Sequence, residues 1–171
     1  MLVARCLEGD ASSFEPIVRR YQRVLYNVAF RMVGNREDAR DVVQGALVKA
    51  WENLATFDPR YRFFSWIYRI VVNESLNARS RRAPTSALDP DLPASGGPEE
   101  SARSGERAAC LQSALLRLSP DDRNVLVLRH FAELSYAEIA EALGLSDKTV
   151  KSRLHEARLR LGRMLEPRDF Q

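Results

Sequence analysis

Lys148, Thr149, Lys151, Ser152, Arg153, His155, Glu156 and Arg158 crowd into one short stretch just after Leu143-Gly144-Leu145-Ser146. Lysine, serine and threonine at that density suit phosphates and base edges. A second set begins with the flat rings of Phe63, Phe64 and Trp66, continues with the amides of Asn73 and Asn77 one helical turn apart, and adds Arg69, Arg79, Arg81 and Arg82. Flat rings can stack on unpaired bases, amides can read base edges and cations can meet the backbone. A third set, Asp38, Asp41 and Gln44, is acidic and amide-bearing and suits a basic partner helix. Catalytic constellations are missing: there is no Ser/His/Asp set, no metal cluster and no glycine-rich phosphate loop. The only histidines, His130 and His155, cannot build a zinc site with so few thiols nearby. Cys6 and Cys110 lie far apart without a CxxC partner, which favours two reduced thiols over a disulfide. No cofactor, no metal and no enzymatic activity are expected.

These residues need helices to position them. Phe14, Ile17, Val18, Tyr21, Leu25, Val28, Ala29 and Met32 recur at helical spacing and make one apolar stripe, stopped by Gly34-Asn35. Asn35 can cap the next helix, with Glu37 and Asp38 favouring its positive end. That helix buries Ala39, Val42, Val43, Ala46, Ala50 and Leu54, leaving the acidic set near its exposed face. Phe57-Asp58-Pro59 breaks the pattern, and a third helix runs from about 63 to 81, aromatic first and basic last. Trp66, Ile67, Ile70 and Val71 read mostly as core. Farther on, Ser119-Pro120-Asp121-Asp122 signals a helix start, and Ser135-Tyr136-Ala137-Glu138 is a capping box. Gly144 ends that helix and Ser146 caps the last, whose Val150, Leu154 and Ala157 face inward. Two helices joined in this way form a helix-turn-helix. No strand-like alternation occurs, so the fold class is all-α.

The chain has 171 residues and a net charge of +3, so the placement of charge matters more than its sum. No apolar run approaches the roughly 18–20 residues that span a membrane, and the first residues lack the pattern of a secretory signal. The expected location is the cytoplasm. Prolines, serines and glycines dominate from Ser80 to Gly105, a composition that cannot repay its ordering entropy by burial. The expected organisation is a domain over 1–82, a flexible linker over 83–106 and a second domain over 107–171.

Ser119 through Arg123, Leu134 through Ala140, Gly144-Leu145-Ser146 and Thr149 through Leu154 together resemble the promoter −35 binding domain of bacterial sigma factors, most closely the extracytoplasmic-function group. The resemblance extends to the first half. Asp38-Ala39-Arg40-Asp41-Val42-Val43-Gln44 followed by Lys49-Ala50-Trp51 is similar to the segment that grips the clamp helices of the largest polymerase subunit. Phe63 through Asn73 is similar to the −10 recognition and melting element. The resemblance implies polymerase contacts at Asp38, Asp41, Val42, Gln44 and Trp51. It implies −10 DNA contacts at Asp58, Arg60, Arg62, Phe64, Arg69, Asn73, Asn77 and Arg79, with the Asp58–Arg62 loop holding a flipped base. It implies −35 contacts at Ser135, Lys148, Thr149, Lys151, Ser152, Arg153, His155, Glu156 and Arg158. The partners it implies are core RNA polymerase (clamp helices and the flap of the beta subunit), promoter DNA and an anti-sigma protein. Two positions depart from the family. Gly45 replaces a helix-favouring acidic residue, and Glu156 stands where relatives often carry arginine. A self-sufficient, dimeric DNA-binding regulator would need a dimer surface and a ligand or phosphorylation domain, neither of which the first half resembles. A helical adaptor or small enzyme is disfavoured by the two basic stretches and the missing catalytic groups.

Overall fold

Local capping sets most helix boundaries in this computed structural model, which describes residues 2–81 and 98–165 (side chains from 105 onward in the second stretch). Helix α1 spans Leu2–Leu7, and a 3-10 turn at Ala11–Ser13 leads into α2, Phe14–Val33. Gly34 takes a left-handed φ of 80°, and its N–H donates to the Phe30 carbonyl at 2.8 Å; glycine reaches that conformation without steric cost. Asn35 then accepts from the N–H groups of Glu37 (2.9 Å) and Asp38 (3.1 Å) and opens α3, Arg36–Glu52. After a 3-10 turn at Leu54–Thr56 comes α4, Phe63–Arg81. Helix α5 covers Pro98–Arg117. Ser119 caps α6, Pro120–His130, by accepting from Asp122 N–H at 3.2 Å. Both bonds of the expected capping box form at Ser135 and Glu138, starting α7, Tyr136–Leu143. Gly144, at φ 65°, ends α7, and Ser146 accepts from Thr149 N–H at 3.1 Å ahead of α8, Asp147–Leu165. Among the described residues there is no strand, and no helix long and apolar enough to cross a membrane.

Helices α2, α3 and α4 pack on one another through the predicted stripes: Leu25, Val28, Ala29, Ala39, Ala46, Ile67 and Val71 are fully buried. The alanines on α3 let its backbone approach its neighbours closely. In the second half, Leu128, Ile139, Val150, Leu154 and Ala157 join α6, α7 and α8 in the same way. Trp66 and Ile70, read as core, are only partly buried.

Two features differ from the expected organisation. Helix α5 begins at Pro98, inside the stretch expected to be linker; residues 82–97 lie outside the described residues. The two halves also pack against each other. Buried Arg123 donates to the carbonyls of Leu115 (2.8 Å), Leu116 (3.0 Å) and Leu118 (2.8 Å) in its own half, and to that of Met32 (3.1 Å) in the other. Gln112 donates to Phe30 O at 3.1 Å and accepts from Arg31 at 3.0 Å, while the Arg31 guanidinium lies 4.6 Å from the Phe131 ring centroid. Leu116 fills the hollow over Gly34, where an added methyl would come within 2.4 Å of its Cδ1. Between α4 and α7, Arg62 pairs with Glu138 at 2.8 Å.

Candidate nucleic-acid interface

Helix α8 turns Val150, Leu154 and Ala157 inward, so Lys148, Lys151, Ser152, His155 and Glu156 face solvent. Lys148, Thr149, Ser152 and Glu156 line an open cleft of about 520 Å³ beside the start of α6. Other charges of this surface are already engaged. Arg153 pairs with Asp121 at 3.0 Å, and Arg160 pairs with buried Asp122. Glu156 lies 3.9 Å from Arg160. Arg158 reaches Nε2 of His130 at 3.3 Å. Burial, then the nearby Arg158 and Arg129, depress the His130 pKa, which favours a neutral ring able to accept from Arg158. The Thr149 hydroxyl is 2.8 Å from that of Ser146, and Ser135 is held within its capping box. Lys148, Lys151, Ser152 and His155 thus form the open cationic and polar edge of the helix-turn-helix.

Of the second set, Trp66 and Arg69 line a cleft of about 430 Å³ between the 56–61 loop and α4, together with Thr56, Phe57, Asp58, Tyr61 and Ser65, and Glu141 of α7 completes one wall. The Phe57 and Trp66 rings lie 5.6 Å apart, and Tyr61 is exposed. Arg60 folds onto Asp58, its Nε donating at 2.8 Å, and that hydrogen bond holds the Asp58 carboxyl below its usual pKa. Asn73 and Asn77 are exposed farther along α4, and Asn77 donates to Glu74 at 3.4 Å. Arg79 is directed to the Met32 and Leu116 carbonyls at 3.4 and 3.5 Å.

On α3, Asp41, Gln44, Val48 and Trp51 form an exposed face, with Asp38 half-buried at its start. The Trp51 ring leans on Phe14 with centroids 5.1 Å apart. A methyl on Gly45 would meet only Glu74, at 3.9 Å, so nothing in the packing demands glycine there, although it costs about 1 kcal/mol relative to alanine in a helix.

Two family models match these halves: Sigma-70 region 2 over residues 17–85 and Sigma-70 region 4 over residues 108–161. The chain is 32% identical to the ECF RNA polymerase sigma factor SigW of Bacillus subtilis, over 92% of this chain and 91% of that protein. It is 34% identical to the ECF RNA polymerase sigma-E factor of Escherichia coli K12, over 98% and 94%. The chain belongs to the extracytoplasmic-function sigma factors. The structure of CnrH in complex with the cytosolic domain of CnrY has the same fold, with a TM-score of 0.76 and 30% identity over 96% of this chain and 94% of that one. RpoE of Bartonella quintana, in complex with the anti-sigma factor NepR, shares the fold at a TM-score of 0.74 and 23% identity, over 92% and 99%. As an extracytoplasmic-function sigma factor, the protein binds core RNA polymerase and directs promoter-specific transcription initiation.

Within this sigma factor, the structure places two of the expected contact residues, Val42 and Phe64, in packed positions. Val42 is 4% exposed and belongs to the core; the α3 register turns it toward α2 and α4, so it offers no surface to a partner. Phe64 packs on Tyr21 and Tyr68, with centroids 5.0 and 4.5 Å away, and is not among the residues lining the aromatic cleft. Arg62 and Arg153 are committed to carboxylates in this arrangement. Tyr61 lies in the Asp58–Arg62 loop expected to hold a base, whereas Phe57 and Ser65 were missed as cleft residues. The break at Phe57-Asp58-Pro59 was the signal that could have found Phe57, because it places that residue in a loop facing the start of α4. Glu156 is exposed and only loosely tied to Arg160. A carboxylate there repels phosphate or accepts from a cytosine amino group. Replacing it by Glu156→Arg is expected to change the ranking of −35 sequences in a promoter library, and an unchanged ranking would remove the side chain from base reading.

Proposed function

We propose that the surfaces above divide the work of a two-element promoter reader. The exposed α3 face of Asp38, Asp41, Gln44 and Trp51 grips the clamp helices of core polymerase. The α4 surface and the 56–61 loop take unpaired −10 bases, and the N-terminal half of α8 enters the −35 major groove. The carrying observation is the pairing, in one chain, of a helix-turn-helix with an open cationic edge and an aromatic cleft beside a basic helix. No step is enzymatic; melting draws its free energy from preferential binding of the open strand. The protein works in the cytoplasm, where polymerase is, and an anti-sigma protein covering the α3 face restrains it. Among the relatives, RpoE of Bartonella quintana forms a complex with the anti-sigma factor NepR, and CnrH forms one with the cytosolic domain of CnrY.

This reading requires the packed halves to separate. The −35 and −10 elements lie some 25 base pairs apart, about 85 Å at about 3.4 Å per base pair. A compact chain of this length has a radius of gyration of about 16 Å. Residues 82–97 can bridge at most about 55 Å fully extended, and the helices themselves supply the rest. Gel filtration with purified core enzyme tests the polymerase grip. The wild-type protein co-elutes, and Trp51→Ala lowers affinity about tenfold, the loss of about 1.4 kcal/mol at one interface aromatic. Undiminished affinity would move the interface off α3. A chain that binds duplex DNA unaided and ignores core enzyme would favour the regulator reading.

A further inference from the structure

Three buried side-chain atoms among the described residues have no hydrogen-bond partner: Ser65 Oγ, Tyr68 OH and Asn124 Oδ1. Of these residues, Ser65 alone lines the aromatic cleft. Its position in α4 explains the missing bond. Ser75, on the same helix and equally buried, donates to the carbonyl four residues back, Val71, at 2.8 Å. Ser65 is the third residue of α4, so the residue four back, Tyr61, precedes the helix. A buried hydroxyl without a partner opposes folding, and native structures rarely keep one. Alanine would fill the same space without that penalty.

We propose that the Ser65 hydroxyl is a base-reading group: it hydrogen-bonds the edge of one unpaired −10 base inserted between the Phe57–Trp66 wall and Tyr61. This deepens, and rests on, the assignment of the cleft to the −10 strand. The rings supply stacking surfaces that every base can use, so they hold a base without choosing it. Choice needs a polar group at a fixed place, and a hydroxyl offers one donor and two acceptor positions. Arg69, on the rim, is placed for the backbone. At about 430 Å³ the cleft falls within the range of about 300–1,000 Å³ of ligand pockets. In the packed arrangement Glu141 forms one wall and the Ser65 oxygen is sealed from water. Departure of α7 opens the cleft, and the entering base provides the missing partner.

The test reconstitutes holoenzyme from core polymerase and wild-type, Ser65→Ala or Ser65→Thr protein. Run-off transcription is measured on promoters carrying each of the four bases at every −10 position. Ser65→Ala is expected to leave the Tm of the free protein unchanged or higher. Discrimination at one −10 position should fall about three- to tenfold, the value of one hydrogen bond, while the other positions keep theirs. Ser65→Thr, which keeps the hydroxyl, should retain most of the discrimination. If wild type discriminates and Ser65→Ala does so equally at every position, the hydroxyl has no reading role and the −10 assignment stands. A clear drop in Tm for Ser65→Ala would show that the hydroxyl serves the fold, which also overturns the proposal. If wild type shows no −10 preference at all, the cleft assignment itself fails and the proposal falls with it.

Discussion

Arg123→Ala is expected to cost about 4 kcal/mol, among the largest losses any single substitution in this chain can cause. The side chain is 1% exposed and satisfies four carbonyl oxygens. Truncation leaves buried acceptors unpaired, at about 1–3 kcal/mol each before relaxation and water entry, and adds a cavity. Domains are commonly stable by only about 5–15 kcal/mol, so this is a large share. For a chain of this size it lowers Tm by roughly 10 °C. Arg123→Met separates the contributions, because it restores much of the volume but none of the donors; it should recover less than half of the loss. Thermal unfolding followed by circular dichroism measures both variants. If Arg123→Ala melts within about 2 °C of wild type, the four bonds contribute nothing net to stability.

Replacing both Lys148 and Lys151 by alanine should weaken −35 binding roughly thirtyfold at about 0.15 M salt. Both ammonium groups lie on the open side of α8, and no ion pair engages either of them among the described residues. Each phosphate neutralised by a lysine releases condensed counterions, with a slope of about 0.9 in log affinity against log salt. Two contacts therefore account for a slope change of about 1.8, which corresponds to the stated factor at that ionic strength. Fluorescence anisotropy of the holoenzyme on a labelled promoter, taken across a salt series, reads both quantities. Loss of affinity with an unaltered slope would show that these lysines do not meet phosphates. Exposed lysines contribute little to the core, so Tm should barely move.

Local signals carried much of the fold. Gly34-Asn35, Ser119-Pro120, the capping box at Ser135 and the Gly144 turn each act within a few residues, and each forms as the sequence indicates. The start of α5 was hidden by composition: Pro98 followed by Glu99 and Glu100 is a helix-start pattern, but serines and glycines on either side outweighed it. Packing of the halves was illegible for a different reason. Arg123 and Gln112 bind backbone carbonyls, which every residue possesses, so no pair of side chains marks the contact in sequence. At the candidate interfaces, residue types were readable but their commitments were not. Arg62 and Arg153 look like free cations until Glu138 and Asp121 arrive from distant positions. Val42 was counted both as core and as contact surface, and the three-dimensional register of α3 allows only the first.

The seat of Leu116 over Gly34 works as a detent made of hydrocarbon alone. Electrolyte weakens the Arg62–Glu138 attraction and loosens any grip on nucleic acid, yet leaves this catch untouched. Concentrated salt would therefore tend to leave the reading heads shut against each other as it strips them from a promoter. Dilute solution would do the reverse on DNA without itself springing the catch. Release of the detent is then a matter for a partner that takes hold of either half mechanically, and core polymerase would be positioned to do so under the proposed grip on α3.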